Sequence, residues 1–206
     1  MGQGRARLAR VGAVAGRWPL RRSAARWSVS GCLGSFDAAP FGPRGMTVTF
    51  RRNAVFDASP DRLLSAVTDP ELLRARVKPG TSAGTTVLEV MRDGARLVQE
   101  LESEDYARTR TGGLDRSRTE RSVTRYEWDL VARHCTWSWK GGFDWVKLTG
   151  TLDIRASGTG AELSSSFEIE AKLPLVGRMV ARMMAREIEQ DLPRYEALFL
   201  AELSRP

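Results

Sequence analysis

Residues 150–192, GTLDIRASGTGAELSSSFEIEAKLPLVGRMVARMMAREIEQDL, pass from strand periodicity to helix periodicity, and that change decides the fold. Up to Ala171 the apolar residues recur at every second position. Over Trp145–Ile154 one face carries Val146, Leu148, Gly150, Leu152 and Ile154, and the other Lys147, Thr149, Thr151 and Asp153. Over Ala161–Ala171 one face carries Leu163, Ser165, Phe167, Ile169 and Ala171, and the other Glu162, Ser164, Ser166, Glu168 and Glu170. Such alternation predicts antiparallel strands with one face in water, joined by a turn at Ser157-Gly158-Thr159-Gly160. After Lys172-Leu173-Pro174 the period lengthens to about 3.6. Val180, Met184, Ile188, Leu192, Tyr195, Phe199 and Leu203 then form one stripe of a long amphipathic helix. Pro193 lies inside it and cannot donate a backbone hydrogen bond, which predicts a kink or brief break near Leu192.

Upstream, Tyr126, Trp128 and Leu130 alternate with charged residues, and Trp137 and Trp139 with Ser138 and Lys140, so both segments read as strands. Thr85–Met91 and Arg96–Leu101 form a hairpin around Arg92-Asp93-Gly94. The charged stretch 104–122, with Gly112-Gly113, has no clear period, and its extent stays open. Thr47–Phe56 reads as the first strand, with Val48, Phe50, Ala54 and Phe56 on one side and Arg52 as the discordant member. Ser59-Pro60 and Asp69-Pro70 each pair a capping side chain with a proline suited to the first helical turn. They predict two short helices, the second running through Val77 and ended by Lys78-Pro79-Gly80. The order is one strand, two short helices, about six strands and one long helix. An antiparallel sheet with one apolar face must be covered, and only the final helix is long enough. A curved sheet splays away from a straight rod at its ends, so this packing tends to leave a cavity.

The stretches FDASPDRLLSAVTDPELLRARV (56–77) and 150–192 resemble the START-like or SRPBCC superfamily, also called helix-grip or polyketide-cyclase-like. Within it, Asp69-Pro70-Glu71 with Arg74-Ala75-Arg76-Val77, and Leu173-Pro174-Leu175-Val176-Gly177, most resemble the family catalogued as domain of unknown function 2505. The resemblance covers residues 46–206. It implies an α+β helix-grip fold: a curved antiparallel sheet of about seven strands wrapped around the long C-terminal helix. It also implies a ligand class, since the superfamily binds lipids, sterols, polyketides, hormones or aromatic products, and some members catalyse cyclisation or hydroxylation. It carries over no catalytic residue.

All of the formal charge of +7 falls on residues 1–45, which hold eight arginines against Asp37. The remainder is balanced, with 24 basic and 24 acidic residues, and gives no electrostatic footprint for nucleic acid. Residues 1–45 are rich in Gly, Ala, Ser and Arg, a composition expected to be disordered. Three readings remain for them: a mis-assigned gene start with Met46 as the initiator, a functionless tail, or an organellar transit peptide. Cys32 and Cys135 make neither a disulfide framework nor a metal-ligand spacing, which fits a reducing compartment. No run approaches the ~20 apolar residues of a membrane-spanning helix. A soluble cytoplasmic protein is therefore expected, or an organellar one if the leader is genuine.

His134 is the only histidine and reads as a turn residue, so no triad or histidine metal site can be assembled. Cys135 reads as a buried structural thiol. No catalytic group, cofactor or metal is expected. Tyr126, Trp128, Trp137 and Trp139 are candidates for an aromatic cavity wall, against the alternative of cross-strand packing. Leu148, Gly150, Leu152, Leu163, Ser165 and Phe167 from the last two strands join them, Gly150 because a missing side chain on a concave sheet leaves room. Val180, Met183, Met184 and Ile188 would contribute from the helix, the methionines adapting to varied apolar ligands, against the equal alternative of core packing. Three functions follow. The first is a carrier or sensor for a small hydrophobic ligand. The second is a cyclase or aromatase-like enzyme using the same cavity. The third is an interaction module whose cavity its own side chains fill. The sequence leaves the oligomeric state open.

Overall fold

The computed structural model describes residues 46–108, 114–142 and 144–205. Residues 1–45 and the Gly112-Gly113 pair lie outside them. The two strands that alternate most cleanly, β6 (Val146–Ser157) and β7 (Gly160–Ala171), pair in register around a turn in which Gly158 has φ 59°. β1 (Met46–Phe56) adds to the free edge of β7, Phe50 opposite Phe167. On the other side follow β5 (His134–Lys140), β4 (Leu114–Asp129), β3 (Arg96–Arg108) and β2 (Ser82–Asp93). The result is one antiparallel seven-stranded sheet in the order β1-β7-β6-β5-β4-β3-β2. Its curvature is helped by breaks of register at Ser82/Gly84, Glu89/Met91 and Tyr106/Ala107. The stretch that lacked a period belongs to β3 and β4, whose outer ends are largely exposed. With no face to bury, nothing imposes alternation.

α1 (Pro60–Val67) and α2 (Pro70–Ala75) start where the caps predict. Ser59 Oγ accepts from the Arg62 amide at 3.2 Å, and Asp69 Oδ1 from the amides of Glu71 and Leu72 at 2.7 and 3.3 Å. Leu63, Val67 and Leu73 anchor both helices in the core. Two side chains from distant elements finish their C-terminal ends. The fully buried Gln99 of β3 donates from Nε2 to the Thr68 carbonyl at 2.8 Å. Arg194 donates to the carbonyls of Arg76 and Val77 just beyond α2.

α3 (Gly177–Leu203) covers the apolar face. Its first residue must be small: a Cβ on Gly177 would lie 2.5 Å from the Ala171 carbonyl oxygen. Ala181 and Ala185 continue this close approach, both buried. Of the kink or brief break expected near Leu192, the break does not occur, since α3 stays helical through Pro193. The proline leaves the Glu189 carbonyl without its helical donor, but Glu189 and Pro193 both face solvent, where water can replace that donor.

Ile169, fully buried on β7, tests this packing. Ile169→Ala should lose about 2–5 kcal/mol in urea denaturation. Leu175→Ala, at a fully exposed position, should stay within about 0.5 kcal/mol of the parent.

Candidate functional site

The registers place Gln99, Tyr126, Trp137, Gly150, Phe167 and Phe50 in one row across β3, β4, β5, β6, β7 and β1. Gly150 is the pivot of that row. A Cβ there would lie 2.0 Å from the Ser166 carbonyl oxygen and 2.6 Å from Trp137 Cζ2, so the indole occupies the space a side chain would need. Trp137 then meets Phe167 edge to face at 5.4 Å between centroids, and Phe167 stacks on Phe50 at 4.5 Å. Both arrangements are favourable for aromatic quadrupoles.

Above this row, between sheet and helix, lies a cavity of about 150 Å³. Its floor comprises Thr124, Tyr126, Trp137, Trp139, Leu148, Leu152, Leu163, Ser165 and Phe167, with Arg52 and Ala54 from β1. Ile188, Leu192, Tyr195, Glu196 and Phe199 of α3 form the roof, and Val67 and Arg76 close the side. Tyr126, Trp137, Trp139, Leu148, Leu152, Leu163, Ser165, Phe167 and Ile188 are thus brought together from the sequence candidates.

The other candidates lie elsewhere. Trp128 is buried but packs in the core between Leu97 of β3 and Cys135 of β5, its register neighbours. Gly150 does not line the wall, because the Trp137 ring has taken the room it leaves. Val180 and Met184 pack against the core at the end of α3 where Ala181 and Ala185 bring the helix close to the sheet, so no space opens beneath them. Met183 is 55% exposed. A helical step of about 100° turns it off the stripe that its neighbour Met184 occupies.

Arg52, Arg76, Tyr195, Glu196 and Phe199 were not among the sequence candidates, although Arg52 stood out as the charged member of an apolar face. Its guanidinium donates to both carboxylate oxygens of Glu196 at 2.8 and 3.0 Å, bridging β1 and α3. This bond raises the Arg52 pKa above its ordinary value against an opposing desolvation. Glu196 lies 144 residues from Arg52, and no local pattern links them. Tyr126 is buried, and burial pushes its phenol pKa up, with the charge of Arg76 pulling the other way. Among the described residues no group of three or more His, Cys, Asp or Glu side chains is placed to hold a metal. His134 opens β5 instead of sitting in the preceding turn, with Nδ1 2.8 Å from Asp153 Oδ1 and outside the cavity wall. No helix among them is long and apolar enough to cross a membrane.

Residues 52–202 match the model of the family described as Protein of unknown function (DUF2505). The chain belongs to that family. Several solved structures share its fold. The protein TTHA0849 from Thermus thermophilus is 22% identical, with a TM-score of 0.53 over 76% of this chain and 100% of that one. The Zhui aromatase/cyclase from Streptomyces sp. R1128 is 13% identical, with a TM-score of 0.54 over 78% and 95%. Norcoclaurine synthase from Thalictrum flavum is 15% identical, with a TM-score of 0.56 over 79% and 90%. No curated protein matches the sequence. This DUF2505 chain therefore has the helix-grip fold, on a sheet and helix arranged as in those structures.

Cys135 of this chain supplies a test of burial beneath the site. Burial pushes its thiol from the ordinary 9.0 to about 12. The folded state then holds the proton more tightly than the unfolded one, so the thiol's contribution to stability is intact below pH 9 and is lost as pH rises toward 12. Urea midpoints at pH 8, 9 and 10 should fall, and Cys135→Ala should flatten the slope. An equal slope in the variant would locate the alkaline sensitivity elsewhere.

Proposed function

We propose that this DUF2505 chain binds and carries a small hydrophobic molecule, a lipid, polyketide or aromatic compound, in the cavity under α3. The observation that carries this reading is the cavity itself: about 150 Å³ of space bounded by the rings of Tyr126, Trp137, Trp139, Phe167 and Phe199 and by four leucines. An apolar cavity of that size takes a single aromatic ring. The helix-grip neighbours named as aromatase/cyclase and norcoclaurine synthase are in keeping with a fold that houses ring-forming and aromatic chemistry. An open cavity also argues against a module packed shut by its own side chains.

Burying about 200 Å² of ligand at ~25 cal/mol per Å² yields roughly 5 kcal/mol. That is close to what association costs in lost translational and rotational freedom. A ring alone would therefore bind weakly, and a physiological ligand would extend beyond the enclosed part or add a polar contact.

A second reading, a cyclase-like enzyme, is favoured by Tyr126. It lines the cavity, and its phenol, protonated at neutral pH as any tyrosine is and held more firmly so by burial, can donate a hydrogen bond there but is unsuited to acting as a base. Chromatographic analysis of ligands recovered after incubation separates the two readings, since turnover yields a new compound, even one of unchanged mass, and carriage returns the ligand unaltered.

Ala54 is a small apolar residue in the cavity floor, and Ala54→Phe should fill the space above it. The variant should keep the far-ultraviolet circular dichroism of the parent and lose the thermal shift that single-ring and fatty compounds induce. A folded variant that still responds to those compounds would show that they bind elsewhere.

A further inference from the structure

Among the described residues three charged side chains line the cavity, and only two of them pair with each other. Arg52 and Glu196 form a two-bond pair at 2.8 and 3.0 Å. Arg76, the C-cap residue of α2, is left over. Its guanidinium carbon sits 4.7 Å from the Tyr195 ring centroid and 5.8 Å from that of Tyr126. Among the described residues no carboxylate lies within ion-pair distance of it. The ring faces attract the cation, and among the described residues its N–H donors have no side-chain carboxylate to meet in the guanidinium plane.

The group is also held in place. Arg194 donates to the Arg76 carbonyl and to that of Val77, fastening this turn to α3. Arg76 is half-buried, at the junction of the apolar wall and solvent.

Resting on the ligand-binding reading above, we propose that the bound molecule is an amphipathic monocarboxylic acid, its apolar body in the cavity and its carboxylate paired with Arg76. The planar guanidinium fork matches a carboxylate in two parallel hydrogen bonds. Charge bookkeeping selects a monoanion: Arg52 and Glu196 cancel, and one positive charge remains to be matched. The Tyr126 hydroxyl, on the same wall and protonated at neutral pH, is a second donor within the site. Neutral sterols and uncharged hydrocarbons would leave Arg76 uncompensated, and ligands of that kind are selected against.

The test compares matched acids and esters, 1-naphthoate with methyl 1-naphthoate and octanoate with methyl octanoate, by isothermal titration calorimetry on the full chain at pH 7.5. The acid should bind about tenfold more tightly than its ester, the scale of one charge-assisted hydrogen-bonded contact. Arg76→Gln should bring that ratio close to one. Arg76→Met, which keeps an unbranched chain against the two tyrosine rings, serves if the glutamine variant does not fold. The wild-type ratio needs no variant at all. Esters that bind as tightly as acids to the parent would overturn the acid assignment and leave the cavity reading intact. A ratio that survives in a folded Arg76 variant would likewise overturn the role of Arg76. Binding of neither class would remove the cavity reading, and the acid assignment with it.

Discussion

One apolar sheet face has one helix to cover it, and the spacing between them is set residue by residue along α3. At Gly177, Ala181 and Ala185 the helix carries almost nothing toward the sheet, and it descends until the Ala171 carbonyl is against it. From Ile188 onward the residues facing the sheet are larger: Leu192, Tyr195 and Phe199. They hold the helix off the curved sheet, and space opens beneath. The cavity is a consequence of graded side-chain size along one helix, not of a missing element. Shortening the large residues would not simply enlarge it, because interiors relax toward native packing density.

The floor is stiff for a related reason. Gly150 admits the Trp137 ring over the backbone, Trp137 meets Phe167, and Phe167 stacks on Phe50, so four strands are tied through ring contacts. A wall of this kind is arranged before any ligand arrives, which lowers the ordering cost of binding. The helices that close the side are fixed by polar bonds: Gln99 to Thr68 from the sheet, and Arg194 to Arg76 and Val77 from α3. Each satisfies carbonyls at a helix end that would otherwise be orphaned.

Much of this could be read in the sequence where a period was imposed by burial on one side. The switch from two to 3.6 at Lys172-Leu173-Pro174 identifies β6, β7 and α3, and the Ser59-Pro60 and Asp69-Pro70 caps identify α1 and α2. The site was legible on the sheet, where alternation puts Leu148, Leu152, Leu163, Ser165 and Phe167 on one face. On the helix a stripe says which side is buried but not which half is lifted from the sheet. That is why Val180 and Met184 fall in the core and Met183 in water, while Tyr195 and Phe199 form the roof. The Arg52–Glu196 pair was visible from one end only, as a charge on an apolar face. Its partner depends on how far α3 travels across β1, a tertiary fact with no local signature.

The charged residues at the cavity have a different logic from its apolar wall. Apolar burial is non-directional, so leucines and ring faces set how much of a ligand is enclosed and not which end enters first. Orientation requires groups with geometry. The Arg52–Glu196 pair, with its arginine side chain 40% exposed, adds little net stability, since screening by water offsets most of the attraction. What it does fix is the position of α3 against β1 beside the opening, and it removes one cation and one anion from any competition for ligand. With that pair self-contained, the site has one directional cation at its edge, Arg76, and one protonated phenol, Tyr126, on its floor. A molecule entering between them is enclosed by area and ordered by charge, and those two requirements are met by different residues on different elements.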